Sequence, residues 1–174
     1  MTPTIVQAVW GEIPEALTAG PPNVQAFAKA RGWGYEFLSF GALSQENDAI
    51  RIAADGFKFA LLSTEPGAIW VDLDCILRDG FDYIDDGAPH AGYYPDADRR
   101  ECKPQPDTFV IYGPCAWWQE RLDEAASRSM VSVSCWPRKL LRDNTDVVQI
   151  SKECYIHMMY TITTRRANGK ESRG

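Results

Sequence analysis

Two carboxylates one residue apart, Asp72 and Asp74, follow the apolar run Ala68-Ile69-Trp70-Val71. At a strand end such a pair can turn toward one cation. Magnesium and manganese take one or two carboxylates together with phosphate oxygens and water. A cation held there would neutralise charge building on a diphosphate leaving group. The pair also reads as a solvated acidic turn, and the residues alone leave both readings open. Asp55 and Lys58 stand three apart in a helical stretch, which makes them neighbours on one face. By itself that spacing describes an ordinary surface ion pair. Trp10 closes the first apolar run and suits either core packing or stacking. Cys115 lacks the basic neighbour that marks a reactive thiolate.

These residues need elements to position them. Ile5 to Trp10 reads as a first strand, and Gly11 to Pro22 as a loop with one helical turn. Asn23 is expected to cap a helix from Val24 to Arg31, with Tyr35 to Phe40 as a second strand. Asn47 opens the clearest helix, where Ile50, Ala53, Ala54, Phe57 and Leu61 fall at helical spacing and Pro66 lies past the end. Ala68 to Val71 is a compact buried strand, and Cys75-Ile76-Leu77 resumes its apolar pattern. Ala88 to Tyr94 and Thr108 to Tyr112 read as strands, with an exposed loop between them from Pro95 to Asp107. A helix is expected from Pro114 to about Ser127, and a strand from Val131 to Cys135. Asp146 to Ile150 is a weaker strand signal, and Tyr155 to Ile162 fits strand or helix.

Strands alternating with helices predict an α/β layered fold, and open sheets of that kind hold ligands at the carboxyl ends of their strands. Asp72 and Asp74 fall there. The 174 residues suit one domain, set at residues 1–164, with the charged segment 165–174 expected to be a disordered tail. A balance of 24 acidic against 18 basic residues excludes a nucleic-acid duplex as main partner. A nucleotide diphosphate remains open to an acidic protein that recruits a divalent cation. Five scattered cysteines without metal spacing read as free thiols in a cytoplasmic setting, and no run approaches a membrane span.

The stretch Ala54-Asp55-Gly56-Phe57-Lys58, the turn at Pro66-Gly67 and the strand ending in Asp72-Leu73-Asp74 resemble the DxD-containing sugar-binding region of retaining glycosyltransferases. These are the mannosyl- and galactosyltransferase-like proteins, related to the catalytic domain of the clostridial glucosylating toxins. The opening Pro3 to Trp10, followed by Ile13-Pro14, is similar to that family's first strand. The likeness spans roughly residues 3 to 81. It implies a GT-A-like nucleotide-sugar-binding fold with a central mixed sheet flanked by helices. It implies that Asp55 meets donor-sugar hydroxyls, that Asp72 contacts sugar or ribose and helps place the metal, and that Asp74 ligates manganese or magnesium. Trp10 would lie near the nucleotide, and His157, toward the C-terminus, would be a third metal ligand. Lys58, which the likeness makes a donor-binding residue beside Asp55, stands where the family has Arg, and Ala54 where it has Ser. A lysine is a point charge without the bidentate fork of arginine.

The activity so implied is metal-dependent transfer of a hexose from UDP- or GDP-hexose to a glycan, lipid or protein hydroxyl, with retention. Two alternatives compete. Val71 to Ile76 also resembles the first motif of haloacid-dehalogenase-like phosphatases, with Asp72 as nucleophile. A degenerate, non-catalytic nucleotide-sugar-binding domain is the other. His90 reads as structural, and Asp107 as a polar group facing an acceptor.

Overall fold

The computed structural model describes residues 1–41, 47–94, 105–130 and 136–158. The expected strand at 131–135, the loop at 95–104 and the segment 159–174 lie outside them. The elements in chain order are β1 (Thr4–Trp10), α1 (Gly20–Ala30), β2 (Gly34–Phe40), α2 (Asn47–Thr64), β3 (Ala68–Val71), β4 (Cys75–Leu77), β5 (His90–Tyr94), β6 (Gln105–Tyr112), α3 (Cys115–Ser127), α4 (Trp136–Asp143), β7 (Val148–Gln149) and β8 (Tyr155–His157). A short 3-10 turn at Glu15–Leu17 joins β1 to α1.

The central sheet is six-stranded and mixed, in the order β2-β1-β3-β6-β5-β7. Strands β2, β1 and β3 run parallel, β6 is antiparallel to both β3 and β5, and β7 runs parallel to β5. A second, two-stranded sheet pairs β4 with β8 antiparallel. Successive side chains on a strand point to opposite faces, so Ile5 and Ile69 enter one core while Val6 and Trp70 enter the other. The first core takes Val24, Phe27 and Ala28 of α1 together with residues of the small sheet. The second takes Phe59 and Leu62 of α2, Trp118 and Ala125 of α3, and Trp136, Leu140 and Leu141 of α4.

Three readings change. Helix α1 begins at Gly20, with Pro21 and Pro22 in its first turn, where missing N–H groups cost nothing. Its N-cap is Ala19, so Asn23 lies inside the helix and does not cap it. The exposed-loop reading fails at its end, because Gln105 to Asp107 belong to β6. Helix α4 was not anticipated at all.

Gly20 packs so tightly against the Leu73 carbonyl that a β-carbon there would collide with backbone. Its φ needs no glycine, so the constraint is steric. Gly20→Ala is expected to cost about 1–3 kcal/mol as an overpacked site, read in chemical denaturation. It should also disturb the Asp72–Asp74 turn.

Candidate active site

The parallel strands β1 and β3 end on the same edge of the sheet, which brings Trp10 and Asp72 to one place. Strand β6 runs the other way, so its first half, with Asp107 and Thr108, lies beside them. A cleft of about 730 Å3 opens there. It is lined by Trp10 from β1, Asp55 and Lys58 from α2, Asp72 and Asp74 after β3, Asp107 and Thr108 from β6, and Arg138 from α4.

The backbone of the acidic turn is held from several sides. The Asp72 N–H donates to the Phe109 carbonyl at 2.8 Å, and the Met158 N–H donates to the Asp74 carbonyl at 2.6 Å. Gln7, fully buried in β1, donates from Nε2 to the Asp72 carbonyl at 3.2 Å, and its Oε1 accepts the Tyr35 hydroxyl at 3.0 Å. A polar side chain in the middle of an apolar strand is costly unless bonded. Here it anchors the strand end that carries the site.

Lys58 is the electrostatic centre. Its side chain is 6% exposed, with Nζ 2.9 Å from Asp72 Oδ1 and 3.5 Å from Asp55 Oδ1. It donates hydrogen bonds to Asp72 Oδ2 and to Thr108 Oγ1, each at 3.2 Å. Trp70 Nε1 donates to Asp72 Oδ1 at 2.6 Å. Burial works to lower the Lys58 pKa, but Asp72 and Asp55 outweigh it and hold the ammonium above its ordinary value. Burial pushes both the Asp55 and Asp72 carboxyls up, with Lys58 pulling each back; the nearby Asp74 charge adds to the rise at Asp72.

On the facing wall, Arg138 Nη2 donates to Asp107 Oδ2 at 2.6 Å, and the Thr108 N–H donates to Asp107 Oδ1 at 2.7 Å. Among the described residues, five carboxylates, Glu12, Asp55, Asp72, Asp74 and Asp107, line the cleft against two cations, Lys58 and Arg138. A bare diphosphate entering it would meet net repulsion. Among the described residues no group of three or more His, Cys, Asp or Glu side chains is arranged to hold a metal ion.

Trp10, Asp55, Lys58, Asp72 and Asp74 are thus brought to one cleft. Trp10 lines it while also stacking on Phe40 with centroids 5.1 Å apart and meeting Phe57 edge-on at 5.8 Å. The backbone of His157 pairs with Cys75, directly after Asp74. Its side chain lies outside what is described. His90 sits elsewhere, buried, stacked on Tyr112 and bonded to Asp86 at 3.0 Å. Arg138, Thr108 and Gln7 were not read as site residues. The sequence did carry a signal for two of them. Gln7 interrupts an apolar run, and Pro137 in a first turn with Trp136, Leu140 and Leu141 at helical spacing marks α4.

No protein-family model matches the chain, and no curated protein matches it in sequence. Among solved structures it is similar to a glycosyltransferase involved in the glycosylation of the major capsid of PBCV-1, with a TM-score of 0.62 and 10% identity over 91% of this chain and 94% of that one. It is also similar to Drosophila β1,4-galactosyltransferase 7. A mutant of that protein in complex with manganese, UDP-Gal and xylobiose gives a TM-score of 0.51 at 11% identity, over 90% of this chain and 71% of that one. Its catalytic domain with xylobiose gives 0.52 with the same coverage. The fold is therefore that of the GT-A glycosyltransferases, a central mixed sheet flanked by helices. No helix among the described residues is long and apolar enough to cross a membrane.

Proposed function

We propose that the cleft binds a nucleotide-diphosphate hexose together with a divalent cation and transfers the hexose to a hydroxyl acceptor. One observation carries this reading. The fold of sugar-nucleotide transferases gathers Trp10, Asp55, Asp72 and Asp74 around a single acidic cleft at the carboxyl ends of its parallel strands. The size of that cleft suits a small-molecule ligand.

Its charge fits magnesium or manganese. Asp74 lines the cleft and would hold the cation, with the remaining positions filled by diphosphate oxygens and water, the donor set magnesium prefers. A bound cation would offset charge on the leaving diphosphate. The chain's own groups do the rest. The aromatic face of Trp10 suits a base. Asp72, fixed by Trp70 and Lys58, can accept a hydrogen bond from a ribose or sugar hydroxyl, and Asp55 one from the sugar.

Asp55 and Asp107 are each committed to a cation, Lys58 and Arg138. That argues against either as a covalent nucleophile, so the retention implied by the sequence resemblance would proceed by front-face transfer. The phosphatase alternative would need Asp72 to attack phosphorus, yet both its oxygens are tied to Lys58 and one also to Trp70.

The test is a screen of UDP- and GDP-hexoses for slow hydrolysis with manganese or magnesium, following release of the nucleoside diphosphate. Cation-dependent release from one donor is expected. Binding without release in any acceptor mixture would favour the degenerate-binder reading.

A further inference from the structure

We propose that Lys58 is a positioning residue that withdraws Asp72 from cation binding, leaving Asp74 as the carboxylate of the pair that a divalent cation meets. The diphosphate part of this inference rests on the donor-site reading above; the relation between Lys58 and Asp72 does not.

The ammonium joins three elements. Its partners are Asp55 on α2, Asp72 after β3 and Thr108 on β6, three side chains for three N–H bonds. Both Asp72 oxygens lie within its reach, at 2.9 Å and 3.2 Å, and Oδ1 also accepts the Trp70 indole N–H. Bringing a dication onto Asp72 would set two like-signed centres a few ångströms apart beside a lysine that is 6% exposed, where solvent screens them poorly. The ammonium therefore occupies the face of Asp72 that a cation would otherwise meet. It follows that the cation binds the protein alone weakly and binds well with a diphosphate that supplies the missing oxygens. The same geometry departs from the role of sugar contact implied for Lys58, because its N–H groups face protein acceptors.

Manganese alone is titrated calorimetrically into the wild type, Asp72→Asn, Lys58→Met and the double variant. Asp72→Asn alone uncovers the Lys58 ammonium and should weaken manganese binding through charge repulsion, whereas the double variant, with neither charge, is expected to bind manganese within about twofold of the wild type. Lys58→Met is expected to bind manganese at least about tenfold tighter, since it uncovers the Asp72 charge to a dication at short range. Adding Asp72→Asn to it should cancel the gain. A mere loss of structural support would give no gain that depends on Asp72. The proposal is overturned if Lys58→Met gains nothing, or if its gain survives Asp72→Asn. Should Lys58→Met not fold by circular dichroism, Lys58→Gln removes the charge while keeping an amide donor and takes its place. A parallel titration with UDP separates the two claims. Failure of UDP to bind with manganese would count against the donor site, while the manganese comparison still decides the role of Lys58.

Discussion

Lys58→Ala is expected to lower the free energy of unfolding by about 3–5 kcal/mol at pH 7, the range for removing one partner of a buried ion pair. The variant would leave the carboxylates of Asp55 and Asp72 facing each other around an empty space, with Asp107 near enough to act on the ammonium today. It would also cut the tie between α2, β3 and β6. The pH dependence has a definite sign. In the wild type the Lys58 pKa is raised, so its contribution is complete below the ordinary lysine value, about 10.4, and is lost only as pH rises through the higher folded value. The Asp55 and Asp72 carboxyls are raised by burial, so their protonation favours the folded state, and that effect grows once the opposing ammonium is gone. The deficit of Lys58→Ala should therefore shrink as pH falls from 7 toward about 4.5. Urea unfolding followed by tryptophan fluorescence at both pH values checks this. A deficit under about 1 kcal/mol would show that the pair carries little stability, as exposed pairs do.

Asp74→Asn should behave in the opposite way. Asp74 lines the cleft and its charge works against Asp72, so neutralising it should cost far less stability than removing Lys58. Donor binding should nonetheless fall at least about a hundredfold, because the amide is a poor substitute for the carboxylate proposed to hold the cation, whose electrostatic contribution is several kcal/mol. A loss of binding that outruns the loss of stability distinguishes a ligand-facing carboxylate from a structural one. Measuring nucleotide affinity and unfolding on the same preparation reads both.

The sequence made some of this legible, for physical reasons that can be named. Helix α2 is long and periodic, and β3 is a short apolar block bounded by Pro66-Gly67 and two aspartates, so both were placed correctly. The adjacency of these two elements in the chain brings Asp55, Lys58, Asp72 and Asp74 near one another. Strand β6 was cut short because Pro106 reads as a loop. It is tolerated because the pairing of β6 with β3 covers only Val110 to Tyr112, leaving one edge at Pro106 without a ladder to break. Helix α4 is short and mixed with charge, and its Trp136-Pro137 start was not weighed as a helix signal. The Asp107–Arg138 wall was therefore invisible, since it joins residues 31 apart through tertiary packing. Lys58 was legible as the partner of Asp55, three residues away, but not as the partner of Asp72. That contact depends on how α2 lies across the end of β3.

The most direct test of the central claim is a titration of UDP and of GDP into the wild type with and without manganese, followed by heat or tryptophan fluorescence. The account predicts that one of the two nucleotides binds only when manganese is present, and that Trp10 fluorescence responds. Folded protein that binds neither nucleotide with manganese, or that binds one equally well in a metal chelator, would contradict it.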